Sequence, residues 1–456
     1  MPPVRAPTAG PQTIPPEEGM RKPRMSARDI TTLGLLFVMT TLLFADQMIM
    51  SAILPELSKE YGASETLLGL IGSAFILVGA AMSVIFGYIA DKAARKTLLV
   101  IVILLGEVPC LMTGIPYFTQ TIGSFAALRV LSGIGLGGVY PVTYSILADF
   151  FKEEHRATAS AWITLAWSIG AVLGVSAAGY LTTDYGWRLS FILVGAPNIP
   201  IALFFALYAR EPERGRTEDA LEELIRKGLA YRQVIHPRDF RIIFSNKTNI
   251  YTFLQGLPGT VPWGILTYWM ITFFQEYRGV SKETATTIFL VLGAGSTVGS
   301  VAFAYLGEWL YKKRPSYMPA MCGAGVLAGI IPAMLLINMD LSNMTTYMLM
   351  GFFAGALVSV AAANVKAILM NVNRPEHRGT VFSVFNITDN LGQGMGPAIG
   401  GLLVPLGHLF MMNFAVLWWV PCGLLFFMVA RHITADRNAL RSLMEKRARE
   451  MTTAGG

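Results

Sequence analysis

The sequence predicts an all-α membrane protein in which twelve transmembrane helices form two repeats of six, and three observations carry that expectation. Of 456 residues, 53% are hydrophobic and 14% charged, whereas soluble domains carry roughly a quarter of their residues as charges. The apolar residues gather into twelve long blocks, each close to the about 20 residues a helix needs to cross about 30 Å of hydrocarbon. The second half of the chain also repeats the first.

The blocks cover approximately 30–54, 66–90, 97–119, 121–148, 157–182 and 189–209, then 248–275, 284–307, 316–339, 341–365, 379–407 and 408–430. The polar turn Thr119-Gln120-Thr121 separates the third from the fourth. Residues 1–29 are proline-rich and polar, with neither an apolar core nor a cleavage site, and are expected to form a disordered cytoplasmic tail. Two six-helix bundles, 30–209 and 248–431, flank a charged linker at 210–247. Within it, Asp219-Ala-Leu-Glu222 reads as a helix start, and Leu221, Leu224, Ile225 and Leu229 share one face, which predicts an amphipathic helix along the inner membrane surface. The tail at 432–456 has a similar pattern, with Leu440, Leu443 and Met444 on one face and Arg437, Arg441, Lys446 and Arg447 outward. Cys110, Cys322 and Cys422 all lie in apolar blocks, so no loop disulfide framework is available.

Placing both termini on one side puts 30 of the 36 Lys and Arg in the termini and the loops of that side. Lys59, Arg188, Arg278 and Lys282 fall on the other side, and Arg129 and Lys366 within the blocks. By the positive-inside rule the heavy side is cytoplasmic. The repeat is read in register. With an offset of 222, Glu154/Glu376, His155/His377, Arg156/Arg378, Thr158/Thr380, Gly170/Gly392, Gly174/Gly396, Gly179/Gly401 and Leu181/Leu403 coincide. With an offset of 217, Phe86-Gly-Tyr-Ile-Ala-Asp91 lies over Phe303-Ala-Tyr-Leu-Gly-Glu308. Two such halves are the plan of parallel-repeat secondary transporters, whose site sits near mid-membrane between them. The paired glycines of helices 5 and 11 are expected to bring the halves into close contact.

The loop Gly87-Tyr-Ile-Ala-Asp91-Lys-Ala-Ala-Arg95-Lys96 resembles the hallmark Gly-x-x-x-Asp-(Arg/Lys)-x-x-Arg-(Arg/Lys) loop of the major facilitator superfamily. The resemblance implies that Asp91, Arg95 and Lys96, with the repeated acid Glu308, act in gating at the cytoplasmic side. Arg129-Val-Leu-Ser-Gly-Ile-Gly135, Tyr185-Gly-Trp187-Arg188 and Arg210-Glu-Pro-Glu-Arg-Gly215 are similar to the Spinster-type branch. Its animal members move sphingolipids and lysophospholipids, and hexuronate and organophosphate carriers are its cousins. The sequence departs from that branch at Asp46-Gln47, where Asp-Arg is usual, and at Gly137-Gly138, where a glutamate is usual.

Four full charges fall well inside the blocks: Asp46, Glu107, Arg129 and Asp389. A charge at the bilayer centre costs roughly 3 kcal/mol, so each needs a partner, water or a proton. At about 1.5 Å per residue, Asp46 sits about 24 Å, Arg129 about 18 Å and Glu107 about 15 Å from the inner surface. Helices 1 and 4 line the cavity in the superfamily, so Asp46 and Arg129 are expected to face each other or share a substrate group, with Glu107 near them. Proton coupling is assigned to Asp46, Glu107 and Arg129. Under the repeat offsets these three fall on or near Trp263, Gly329 and Gly351, which confines the coupling charges to the N-terminal half. The substrate is expected to meet Arg129 together with Gln255 and Trp263 of the proline-interrupted helix 7. Asp389 shares a stripe with Asn386, Asn390 and Gln393, read as interhelical hydrogen bonding. Lys366 and Asp149 are read as snorkelling or boundary residues.

The expected function is secondary active transport, proton-coupled symport or antiport, of an amphiphilic or anionic organic substrate. A sphingolipid or lysophospholipid class is favoured over a small hexuronate-like or organophosphate-like anion, and a polytopic membrane enzyme or a non-transporting receptor ranks below both. No phosphate-binding loop, metal-ligand cluster or nucleophile constellation is legible, which argues against ATP use, cofactors, bound metal and enzymatic activity. Partners are confined to the substrate, protons and membrane lipids, with no nucleic acid, and the chain is expected to act as a monomer. It is placed in a bacterial inner (plasma) membrane, both termini cytoplasmic.

Overall fold

The structure, a computed structural model, describes residues 27–90, 92–150, 156–211, 237–339, 343–374 and 377–454. Among these residues the regular structure is helical throughout, with no strand. Most of the N-terminal tail, the amphipathic stretch predicted in the linker, the gating residue Asp91, and Glu154, His155 and Glu376 of the repeat lie outside the described residues.

The first half comprises α1 (Ala27–Ile49), α2 (Leu54–Tyr61), α3 (Glu65–Ala90), α4 (Arg95–Thr113), α5 (Ile122–Phe150), α6 (Arg156–Tyr185) and α7 (Arg188–Tyr208). A short helix, α8 (Pro237–Ser245), leads into α9 (Lys247–Thr272), α10 (Lys282–Lys313) and α11 (Tyr317–Asn338). The tenth predicted span is two helices, α12 (Met344–Val358) and α13 (Ala361–Val372), followed by α14 (Arg378–Leu403), α15 (His408–Leu417) and α16 (Trp419–Ala454). The twelfth span is divided at Trp418 between α15 and α16, and α16 continues into the basic tail.

Nine of the described helical runs are long and apolar enough to cross a membrane on their own. The other three predicted spans are α9, α12 with α13, and α14, and the sequence shows why they are less apolar or less continuous. Helix α9 carries Pro258, Pro262, Asn249 and Gln255, and α14 carries Asn386, Asp389, Asn390 and Gln393. The tenth span breaks at Ser359-Val360. In hydrocarbon every freed backbone group needs an internal partner, and here the Val360 carbonyl accepts from the Asn364 amide at 2.7 Å and the Cys322 thiol at 3.8 Å.

The same neighbours recur in both halves. Helix α1 packs on α6 and α7, α3 on α5, and α4 on α5 and α7; correspondingly α9 packs on α14 and α16, α10 on α12, and α11 on α12 and α16. The repeat is therefore structural as well as sequential.

The paired glycines correct one expectation. A Cβ on Gly170 or Gly174 would lie 2.4 Å from the Thr41 carbonyl or 2.0 Å from the Ala45 carbonyl, so both seat α6 on α1 within its own half. Their repeat mates Gly392 and Gly396 seat α14 on α9 in the same way, against Thr260 and Gly264. Only the third pair reaches across: Gly179 lies against Thr286 of α10, and Gly401 against Glu65 and Thr66 of α3. Helix-to-helix spacing within a half tightens when small residues let backbones meet, and the glycines are spent chiefly on that.

Contacts between the halves gather at the face opposite the start of α1, here the distal face. There the Thr66 hydroxyl donates to the Gly401 carbonyl at 2.8 Å, and the Ala398 amide donates to Ser73 Oγ at 2.8 Å. The Tyr268 hydroxyl reaches the Leu68 carbonyl at 2.6 Å. Lys282 pairs with Glu56, His408 Nε2 lies 2.9 Å from Glu65, and Thr183 donates to Glu283 at 2.9 Å. Toward the other, proximal face, Val84 and Tyr88 of α3 and Tyr305 and Trp309 of α10 are exposed. The two halves are thus joined at the distal face by hydrogen bonds and ion pairs.

A clasp within the first half braces the distal face. Glu60 accepts from Trp187 Nε1 at 2.8 Å and from the Arg188 guanidinium. That guanidinium holds the Glu60 carboxyl below its ordinary value of 4.5. The clasp is therefore complete above the ordinary value and weakens as pH falls through the lowered one.

Candidate transport site

The N-terminal half encloses one fully buried charge cluster. Asp46 ends the long apolar run of α1 and Arg129 sits two turns into α5. Their side chains, 0% and 1% exposed, form a two-pronged pair: Nη1 donates to Oδ1 at 2.8 Å and Nη2 to Oδ2 at 2.9 Å. The depth arithmetic that set these residues at similar heights is matched by their contact. Parallel guanidinium–carboxylate bonds are the strongest form of such a pair. The guanidinium also lies 4.8 Å from the Phe75 ring centre and 5.1 Å from that of Phe191, where a desolvated cation gains up to about 2 kcal/mol from each ring face.

Ser132, one turn beyond Arg129, places its hydroxyl 2.6 Å from Asp46 Oδ2 and 2.8 Å from the Gly106 carbonyl. Both are acceptors, so the single hydroxyl hydrogen can serve either. Its reach depends on how tightly α4 and α5 pack: a Cβ on Gly135 would lie 2.2 Å from the Gly106 nitrogen.

Glu107 of α4 is buried beside the pair and within electrostatic reach of both members. Its Oε1 accepts from Asn198 Nδ2 at 2.6 Å, and the same amide reaches the Met39 carbonyl at 2.9 Å. Glu107 Oε2, Asn198 Oδ1 and Arg129 Nε have no hydrogen-bond partner among the described residues. A buried polar atom without a partner costs about 1–3 kcal/mol, so the cluster holds spare hydrogen-bonding capacity at its centre. Sequence reasoning did not single out Asn198 or Ser132. The signal for Asn198 was present, since it is an amide set between Pro197 and Pro200 in an otherwise apolar helix.

The opposed wall is differently arranged. Gln255 is buried, donating to the Thr252 carbonyl at 3.0 Å and accepting from the Cys422 thiol at 3.5 Å. Trp263 is half-buried and stands edge-on to Trp419 at 5.8 Å. The pair Asp46–Arg129 does not include either residue.

The described gating candidates lie at the proximal face. The Glu211 carboxylate accepts the backbone N–H groups of Arg95 and Lys96 at 2.6 and 2.9 Å, capping the start of α4. The Arg95 guanidinium reaches the Ser145 carbonyl at 3.1 Å, and Lys96 the Ala206 carbonyl at 3.0 Å, so these cations tie α4 to α5 and α7. Glu308 is exposed and pairs with Lys312 at 2.6 Å along its own helix. Among the described residues no group of His, Cys, Asp or Glu side chains could hold a metal ion.

Comparison with known proteins adds relatives to this geometry. Residues 36–346 match the model of the Major Facilitator Superfamily. The cis,cis-muconate transport protein of Acinetobacter baylyi is 23% identical over 80% of this chain and 85% of its own length. The probable sulfoacetate transporter SauU of Cupriavidus necator is 24% identical over 84% of this chain and 89% of its own. Among solved structures, a bacterial homologue of the human lysosomal transporter Spinster, in an inward-facing and unoccupied conformation, superposes with a TM-score of 0.79. It is 20% identical, covering 91% of this chain and 99% of that one.

Proposed function

The chain belongs to the major facilitator superfamily and is a multi-pass membrane transporter rather than an enzyme; from that premise we propose that it is a proton-coupled carrier of an organic anion in a bacterial inner membrane. Both termini are cytoplasmic in this reading. The bundles 30–209 and 248–431 rock about the site between them, with 210–247 as their linker, and the hydrogen bonds and ion pairs that join the halves distally support a conformation that opens toward the cytoplasm. The gate closes through Asp91, Arg95, Lys96 and Glu308.

The observation that carries the proposal is the sealed Asp46–Arg129 pair with Ser132 and Glu107 beside it. While Asp46 is charged it occupies the guanidinium. A proton on Asp46 removes the attraction and leaves Arg129 free for an anionic group of the substrate, so anion and proton are bound together. Ser132 fits both states: it donates to the carboxylate, and it can accept from the carboxylic acid while its own hydrogen turns to the Gly106 carbonyl. The unpartnered Glu107 oxygen offers the proton a second resting place. Gln255 and Trp263 complete the substrate wall from α9.

Two relatives named for muconate and sulfoacetate, both small organic anions, favour that class. The likeness in fold to a Spinster homologue supports a lysophospholipid or sphingolipid as the second reading. Counterflow in proteoliposomes tests both, with labelled cis,cis-muconate, sulfoacetate, D-glucuronate and a fluorescent lysophospholipid. Saturable exchange of at least one anion is expected. Exchange of the lysophospholipid alone would establish the second reading, and exchange of none in tight liposomes would overturn both.

A further inference from the structure

The polar stripe of α14 and the lysine of α13 form a site of their own. On α14, Gly392 and Gly396 turn toward α9, while Gly394, Ala398 and Gly401 meet α3 of the other half. Ile387, Leu391, Met395 and Leu402 form an exposed apolar face toward lipid. Asn386, Asn390 and Gln393 occupy the arc between the α9 and α3 faces, opposite the apolar one, and Asn386 and Asn390 are exposed. Proximal to the contact of Gly394 with Ile76 and Leu77 of α3, Asn386 and Asn390 leave that arc open. Asp389 lies at its edge, with its carboxyl against the bare backbone of Gly256, where an added Cβ would lie 3.0 Å from Oδ1.

Lys366 completes the group. The break at Ser359-Val360 sets it within α13 rather than at the end of a longer helix. Val365, Ile368, Leu369 and Val372 bury the packed face of α13, and Lys366 and Met370 are exposed on the other. Its ammonium is within electrostatic reach of Asp389. Among the described residues neither Lys366 nor Asp389 has a hydrogen bond or an ion pair. Interhelical bonding, the reading of the stripe from sequence, leaves the Asp389 carboxyl without a polar bond to a partner helix, and the exposed Lys366, in keeping with snorkelling, leaves its ammonium open to a ligand. An exposed cation and a half-buried carboxyl within electrostatic reach of each other, neither hydrogen-bonded to protein among the described residues, match a ligand that supplies both halves of the interaction.

We propose that Lys366 binds the anionic group of the substrate, and Asp389 with Asn386 and Asn390 binds a hydrogen-bond donor on the same molecule. The class is an organic anion that carries hydroxyl or ammonium donors, either a free sugar acid or the headgroup of a lysolipid. The inference rests on the anion-carrier reading and deepens it. In the conformation described, Arg129 is sealed by Asp46, so Lys366 is the cation the substrate meets on entry and Arg129 the one it reaches once Asp46 is protonated.

The test uses the full chain in lipid nanodiscs, with binding read by thermal stabilisation. The probes are D-glucuronate, lysophosphatidylcholine and benzoate, the last an anion without a donor. D-glucuronate or lysophosphatidylcholine is expected to stabilise the wild type, and which of them does so identifies a free anion or a lipid headgroup as the source. Lys366→Gln should weaken that binding by about tenfold or more, as expected for loss of one charge-assisted contact. Lys366→Arg should restore most of it, and Asp389→Asn should reduce the preference over benzoate. Unchanged binding in Lys366→Gln, or no stabilisation by either donor-bearing probe, would overturn the site. Counterflow by the same Lys366→Gln protein separates the two levels: undiminished exchange removes this site and leaves the carrier reading intact, whereas absence of exchange in the wild type removes the carrier reading.

Discussion

Replacing Arg129 by alanine is expected to destabilise the protein by about 3–5 kcal/mol and to abolish transport, because it leaves the carboxyl of Asp46 buried without its two guanidinium donors. Asp46→Asn should cost less in stability, since the amide oxygen still accepts from the guanidinium and the shape of the site is kept. The double replacement Asp46→Leu with Arg129→Met should recover much of the stability of Arg129→Ala, as apolar groups of similar volume often do in place of a buried ion pair. It should recover none of the transport. Thermal unfolding followed by tryptophan fluorescence, beside counterflow in liposomes, checks the four proteins. Wild-type stability in Arg129→Ala, or transport by the double variant, would show that the pair is neither the structural nor the functional centre of this half.

The second large effect is expected from Gly69→Val. A Cβ at Gly69 would lie 2.4 Å from the Pro397 carbonyl of the opposite half, a backbone atom that cannot move aside as a side chain would. Each half packs through other surfaces, so the variant should fold, but α3 and α14 cannot close at the distal face. Transport should fall by about tenfold or more, because the strain of an overpacked contact, typically about 1–3 kcal/mol, acts on one of the two states alone. A cysteine at Ser73, buried in the parent at this seam, reports the change directly. It should react with a water-soluble thiol reagent faster in the presence of Gly69→Val than in its absence. Equal reactivity and normal transport would mean that distal closure does not depend on this contact.

Much of this could be read from the sequence, and the reasons are physical. Twelve spans follow from the length a helix needs in hydrocarbon, and of the three that fall short as isolated helices, α9 and α14 carry several polar side chains while α12 and α13 are separated by a break. Helical rise converts position to depth and set Asp46 and Arg129 at similar heights, and the resemblance to a family in which helices 1 and 4 line the cavity supplied their facing. The same arithmetic placed Glu107 near them. What it could not supply was rotation about each helix axis. Gly170 and Gly392 share a register, yet register does not say which neighbour a glycine faces, and both face inward to their own half. The stripe of α14 was visible as spacing, but whether it met a helix or stood exposed depended on where α9 and α3 flank that helix. Asn198 was missed because a lone amide in an apolar helix has no partner in the sequence, and its partner, Glu107, lies 91 residues away.

The account rests on the claim that Asp46 carries the coupled proton. It is tested most directly by enclosing a pH-sensitive dye in proteoliposomes and adding the anion that counterflow identifies, to wild type and to Asp46→Asn. The wild type should move protons with the anion, and the variant should exchange the anion without net proton movement. Proton flux of wild-type size in Asp46→Asn would contradict the claim and move the coupling to another carboxyl.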